Sequence, residues 1–376
     1  MKKLLFLIGV FLSFTVSAQY TVRLIINDVA TRKNDDIYVS GNFNNWNPKD
    51  ENYKLKPFGG TRKSVVLKDM ATGTYAFKFT RGEWNKVETT SDGRDISDRV
   101  LEVNTDVSFD FTIPGWKDDY PETPKRYTAS PQVRIMDTAF NMPQLNRKRR
   151  IWIYLPKGYA ASTKIYPVLY MNDGQNLFNE QAAAFGEWGV DECMDTLQNK
   201  LNKECIIIGI DHGGDKRMTE YNPYDNEKYG KGEGKQYVDF LANTLKPYID
   251  SKYRTKKAPE NTFIAGSSMG GLISLYAVMQ YPAVFGGAGV FSPSLFLTPL
   301  IYSDADIFST QSMPKFYLYA GGKESATMVS DMKRMGDILE KKQRYSIRRV
   351  VSPLGQHNEA SWRQEFAEFY KWIINQ

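Results

Sequence analysis

Residues 262–271 read Thr262-Phe263-Ile264-Ala265-Gly266-Ser267-Ser268-Met269-Gly270-Gly271. A short apolar run leads into Gly-x-Ser-x-Gly, and a helical pattern follows to about residue 280. Strand, tight turn and helix in that order set Ser268 on a strained bend, where small neighbours let the turn close and a carbonyl reach the hydroxyl. The helix opens with N–H groups that lack intrahelical partners, so the Met269 amide is the expected first oxyanion donor. Outward from this turn, apolar runs at 151–155, 167–171, 205–210, 286–291 and 315–319 alternate with helical stretches. The latter lie near 189–200, 235–252, 270–280, 327–342 and 359–374. Continuous apolar strands between helices predict an α/β fold, a parallel sheet covered on both faces, over residues 131–376.

A serine on such a bend needs a base, and an acid to orient the base. The chain holds two histidines, His212 and His357, and His357 alone follows Ser268. It stands in Gly355-Gln356-His357-Asn358-Glu359, between a strand at 347–351 and the last helix, and is the expected base. His212 lies upstream, at a strand's C-terminal end, where it lines the site at most. Glu324, in Ala320-Gly321-Gly322-Lys323-Glu324, follows a strand at the sheet edge where ligand-side residues gather, and is the expected acid. Asp331, Asp304 and Asp306 are its competitors, and a dyad without a carboxylate is the other reading. The second oxyanion amide is expected from Asn172-Asp173-Gly174-Gln175-Asn176, where glycine admits a close backbone, and Gln175 is the expected donor.

These residues carry a resemblance. Tyr166-Pro167-Val168-Leu169-Tyr170-Met171-Asn172-Asp173-Gly174-Gln175-Asn176-Leu177-Phe178 is similar to the esterase D-like putative esterase family. That family includes feruloyl esterases, enterochelin-type siderophore esterases and mycolyltransferases. Glu187-Trp188-Gly189-Val190-Asp191, Arg217, Glu220-Tyr221, 266–271, Phe291-Ser292-Pro293-Ser294 and His357-Asn358-Glu359 extend the likeness over most of 131–376. The resemblance implies an α/β-hydrolase fold with Ser268 as nucleophile, His357 as base and a carboxylate near Glu324. Glutamate stands there where many feruloyl esterases of the family have aspartate.

Residues 19–113 have another grammar. Short alternating strands at 21–26, 37–40, 62–67, 74–80, 99–103 and 107–112, with turns such as Gly59-Gly60 between them, predict a small all-β immunoglobulin-like sandwich. Trp46 lies among Asn and Pro in a turn, and Trp84 follows Arg81-Gly82-Glu83. Exposed indoles stack on sugar faces while Lys78 and asparagines hydrogen-bond hydroxyls. The same segments resemble glycogen- and starch-binding modules of the AMP-activated kinase β type, which implies Trp46, Lys78 and Trp84 as glycan contacts. The plainer reading is core tryptophans in a spacer or dimerisation domain. Pro114, Pro121, Pro124 and Pro131 mark residues 114–130 as a semi-rigid linker. The basic run 147–150 reads as a solvated strand entry.

At the amino end, Lys2 and Lys3 precede an apolar run at 4–12, and Val16-Ser17-Ala18 supplies small residues before Gln19: the pattern of a signal peptide over 1–18. The expected destination is the periplasm or the outside, without membrane insertion after cleavage. The 376 residues are 24% charged and 41% hydrophobic, a globular balance. Net charge is +6, and without Lys2 and Lys3 it is +4, unclustered and too weak to argue for nucleic acid. Cys193 and Cys205 can form neither a disulfide framework nor a four-ligand zinc site. No metal or organic cofactor is implied. The sequence thus predicts an exported serine carboxylic-ester hydrolase for acyl groups, feruloyl or acetyl, on polysaccharide. Its rivals are a siderophore trilactone esterase, with Lys216 and Arg217 receiving catecholates, and a non-catalytic glycan-binding protein.

Overall fold

The computed structural model describes residues 19–375 except 45, 97, 122–124, 202 and 343. The expected signal peptide, 1–18, lies outside the described residues. The chain divides into two compact units, Met1–Thr123 and Pro124–Gln376. Among the described residues no helix is long and apolar enough to cross a membrane.

The first unit is a β-sandwich. One sheet runs Lys56–Pro57, Lys63–Ala71, Gln19–Val29, Val107–Ile113, and the other Tyr38–Gly41, Gly73–Thr80, Arg99–Val103. Alternation sends Val22, Leu24 and Ile26 of one sheet and Val39, Phe77, Phe79 and Leu101 of the other into a common core. That core also takes Trp116, which is fully buried and donates its indole N–H to the Thr31 carbonyl at 3.2 Å.

The second unit is built on eight strands: β1 (Val133–Met142), β2 (Arg147–Tyr154), β3 (Val168–Asn172), β4 (Ile206–Ile210), β5 (Thr262–Ser267), β6 (Gly287–Phe291), β7 (Lys315–Gly321) and β8 (Ser346–Ser352). Their order is 1-2-4-3-5-6-7-8; β2 runs antiparallel to its neighbours and the rest are parallel. Every residue of β3 to β6 is buried, as central strands covered on both faces require. One face packs on α2 (234–252, with a π-helical turn at Leu241–Leu245), α3 (Met269–Gln280), α4 (Leu300–Ile307) and α5 (Met328–Glu340). The other packs on α1 (Val190–Leu201) and α6 (Glu359–Ile373). Met328, Met332, Met335 and Leu339 form the buried stripe of α5 at helical spacing.

Three features differ from expectation. Strand β1 was not anticipated, because its exposed edge leaves no apolar run to find: Val133, Phe140 and Met142 alone are buried. The arginines of 147–150 are not a solvated entry. Arg147 and Arg149 bond Glu220, which is fully buried, and Arg150 bonds Asp211 at 2.6 Å. Finally, residues 114–130 are structured at both ends. Gly115–Trp116 pairs with Glu88–Thr89 in the sandwich. Residues 125–130 bond instead to the 179–191 segment of the second unit. Thr128 N donates to Asn179 Oδ1 (3.3 Å), Thr128 Oγ1 to Glu187 Oε2 (2.9 Å), Glu180 N to Thr128 Oγ1 (2.8 Å) and Ser130 N to Asp191 Oδ2 (2.6 Å). Lys125 reaches the Ala183 carbonyl.

Candidate active site

Three non-glycine residues with positive φ stand at the C-terminal ends of three adjacent strands: Asp173 (φ 58°) after β3, Ser268 (58°) after β5 and Ser292 (44°) after β6. Such conformations are costly, and clusters of them accompany functional sites. Ser268 has ψ −121°, between the last residue of β5 and the first of α3. The glycines that flank it leave little room for a side chain. A Cβ on Gly266 would lie 2.8 Å from the Gly270 backbone, and one on Gly270 would lie 3.0 Å from Asp173 Oδ2.

His357 Nδ1 and Glu324 Oε2 are 2.7 Å apart. Glu324 is held on its other oxygen, where Oε1 accepts from the Gly321 amide and the Ser292 hydroxyl, each at 2.6 Å. Ser292 Oγ in turn accepts from Trp362 Nε1 at 2.9 Å, and the Trp362 ring stands edge-on to the imidazole. The carboxylate side chain is 1% exposed and the imidazole 40%, so the acid is locked and the base faces outward. With Nδ1–H donated to Glu324, Nε2 is left as the acceptor. Asp331 and Asp304 are engaged elsewhere, by the hydroxyls of Tyr302 and Tyr224.

Ser268 Oγ lies 3.1 Å from Ser294 Oγ, and the Ser294 amide donates to the Ser268 carbonyl. Among the described residues this hydroxyl pair is the hydrogen bond of Ser268 Oγ; none joins it to His357. Gly174–Asn176 forms one 3₁₀ turn, and Asn176 N closes it on the Asp173 carbonyl. The amides of Gln175 and Met269 carry no hydrogen bond among the described residues, which leaves both free to donate.

The opposite flank is polar. Arg217 grips Asp173 through two bonds of 2.7 and 2.8 Å. Burial opposes its charge, but Asp173 holds its pKa above the usual value. Burial lowers the pKa of His212, whose Nδ1 accepts from Gly214 N. The His212 amide donates to Gln175 Oε1. Cys193 and Cys205 are free thiols whose pKa values burial raises. In the sandwich, Trp46 and Trp84 come together with ring centroids 6.3 Å apart, and Trp84 is 42% exposed. Lys78 is occupied differently: its ammonium bonds the Ile96 carbonyl and lies 3.6 Å from Asp98.

Ser292 and Trp362, which hold the acid, had no role assigned from sequence. Trp362 sits one turn into α6 after the cap Asn358, a spacing that brings it back over the histidine loop. Ser292 stands in Phe291-Ser292-Pro293-Ser294, a stretch of the family likeness that gave it no role.

The putative esterase family matches residues 142–367. Uncharacterized protein YbbA of Bacillus subtilis is 29% identical over 152 residues, 39% of this chain and 57% of that protein. An endo-1,4-beta-xylanase/feruloyl esterase of Xylanibacter ruminicola is 27% identical over 177 residues, 46% of this chain and 22% of that protein. The chain thus spans less than two thirds of the length of these relatives. The enterochelin esterase of Shigella flexneri superposes with a TM-score of 0.54 at 16% identity, over 90% of this chain and 87% of that one. That likeness is one of fold, an α/β-hydrolase.

Proposed function

Given that the chain belongs to the putative esterase family, we propose that it is an exported serine hydrolase of acyl esters, feruloyl or acetyl, borne on polysaccharide. The observation that carries the serine mechanism is the Glu324–His357 contact, together with a positive-φ Ser268 on the turn from strand to helix. Ser268 Oγ turns from Ser294 toward Nε2 of His357, gives up its proton there and attacks the ester carbonyl. The oxyanion is received by the amides of Met269 and Gln175, which carry no other hydrogen bond among the described residues. Imidazolium, oriented and stabilised by Glu324, protonates the leaving alcohol; water then repeats the cycle on the acyl-enzyme.

The carbohydrate part of the reading rests on the paired indoles of Trp46 and Trp84, and on the xylanase/feruloyl esterase among the relatives. Glycan contact is assigned to those indoles, with Lys78 left to the sandwich's own framework. The siderophore alternative is disfavoured by charge. Of its two cations, Lys216 and Arg217, the second is already neutralised by Asp173. The deciding experiment incubates purified protein with a short-chain aryl ester, a feruloylated arabinoxylan fragment and a catecholate trilactone, with Ser268→Ala as blank. Turnover of the first two that Ser268→Ala abolishes supports the proposal. Exclusive turnover of the trilactone moves the enzyme to siderophore release, and no turnover at all leaves a glycan-binding protein.

A further inference from the structure

Two buried groups beside the candidate triad have no task in acyl transfer. Glu359, two residues past His357, is the first residue of α6 and 7% exposed; Asn176, next after Gln175, is 9% exposed. Asn176 Nδ2 donates to Glu359 Oε1 at 3.2 Å, while Asn176 Oδ1 is buried and has no partner. A carboxylate only accepts and cannot fill that vacancy. A neutral carboxylic acid accepts through one oxygen and donates through the other, so it pairs with a primary amide in a two-bond ring.

We propose that Glu359 and Asn176 form such an acid–amide pair, which holds the oxyanion loop against the histidine loop and works with the proton in place. The proposal rests on the esterase reading above. A backbone bond from Trp188 N to the Asn176 carbonyl (2.8 Å), with Trp188 stacked on Trp362 at 5.7 Å, ties the same two loops a second time. The surroundings favour the neutral acid. Burial comes first and the Asp173 charge adds to it, bringing the Glu359 pKa up to about 7. Its own backbone N–H, His357 and Arg217 oppose this, but Arg217 is committed to Asp173. Arg363, one turn along α6, faces Glu187 and Glu192. Once ionised, Glu359 leaves Asn176 Oδ1 unpaired and sets a second negative charge near Asp173. Glu359 is thus a positioning residue whose loss of a proton loosens the Gln175 amide.

The test uses the full chain, with Glu359→Gln, Glu359→Ala and Asn176→Asp. Activity on a small aryl ester and thermal unfolding are each followed from about pH 5 to about pH 9. Wild type is expected to lose roughly tenfold in kcat/KM on an alkaline limb that begins near pH 7. Glu359→Gln rebuilds the ring with its own amide and has nothing to titrate, so that limb disappears from its profile. Asn176→Asp sets two carboxyls together and recovers activity on acidification; Glu359→Ala is impaired at every pH. Unfolding supplies a readout without catalysis. A carboxyl whose folded pKa exceeds its unfolded value stabilises less as pH rises from about 4.5 to about 7. Wild-type Tm should therefore fall relative to Glu359→Gln across that window and run parallel above it. An alkaline limb and a Tm trend shared by wild type and Glu359→Gln overturn the pair. If no ester is cleaved by any form, the esterase reading fails, and the Tm trend alone decides whether Glu359 holds its proton.

Discussion

Ser268, His357 and Glu324 act as a unit in the proposed mechanism, so their removal should not add. Ser268→Ala and His357→Ala are each expected to lose at least ~10³-fold in kcat while folding normally, and the double variant should be little worse than either. Additive losses would show that the pair is misassigned. Glu324→Gln should lose less but clearly, because it leaves the imidazole in place and weakens its charge stabilisation. Asp331→Asn should be neutral, since its carboxylate serves Tyr302; the reverse result moves the acid to Asp331. These three positions were legible because each stands in a local pattern or is the last candidate of its type: one elbow, one downstream histidine, one glutamate just past a strand end. Ser292, Trp362 and the Arg217–Asp173 bond were not. Their contacts join side chains from separate segments, and nothing local marks a serine that will grip a glutamate 32 residues away.

At the scale of elements, strand positions followed from apolar runs wherever a strand is buried on both faces, as in β3 to β6. They did not where a strand is half exposed, as in β1; in β2 the apolar run 151–155 located the strand but not its start at Arg147, where partners distant in sequence neutralise the charges. The proline-rich segment is the most instructive case. Proline spacing signals extended chain, but extended chain also docks, and Thr128 shows how: its hydroxyl accepts from Glu180 N and donates to Glu187, whose pKa burial raises. Residues 125–130 thus strap the segment that carries Trp188 to the wall behind His357. Thr128→Val strips partners from a buried carboxylate and a backbone amide, a cost of about 1–3 kcal/mol. In a unit of this size that is a Tm lower by roughly 3–10 °C. A chain begun at residue 131 should melt lower still and lose activity on a small ester, whereas one begun at 125 should match the full-length rate. Equal stability of the two truncated chains would mean that the strap contributes nothing.

For the whole molecule, the question is how a two-tryptophan surface serves a serine site in another compact unit. Both ends of the 114–130 stretch are bound to their own units, which leaves fewer residues between them than the prolines implied. Joining two units in one chain raises the effective concentration of one at a polymer held by the other, without any new contact at the active site. A small soluble ester gains nothing from this, since it never engages the indoles. Trp46→Ala with Trp84→Ala should therefore leave small-ester kinetics unchanged and raise the apparent KM on a feruloylated or acetylated polymer about 3- to 30-fold, equivalent to roughly 0.7–2 kcal/mol. Lys78→Ala should not reproduce that deficit. Its ammonium is spent on the Ile96 carbonyl and near Asp98, so its loss should appear in the stability of the sandwich instead. Affinity electrophoresis of the sandwich alone, through gels containing xylan or glucan, separates binding from catalysis. If neither polymer retards it, and the double tryptophan variant keeps the wild-type KM on polymer, the front unit is a spacer and the glycan-binding assignment fails.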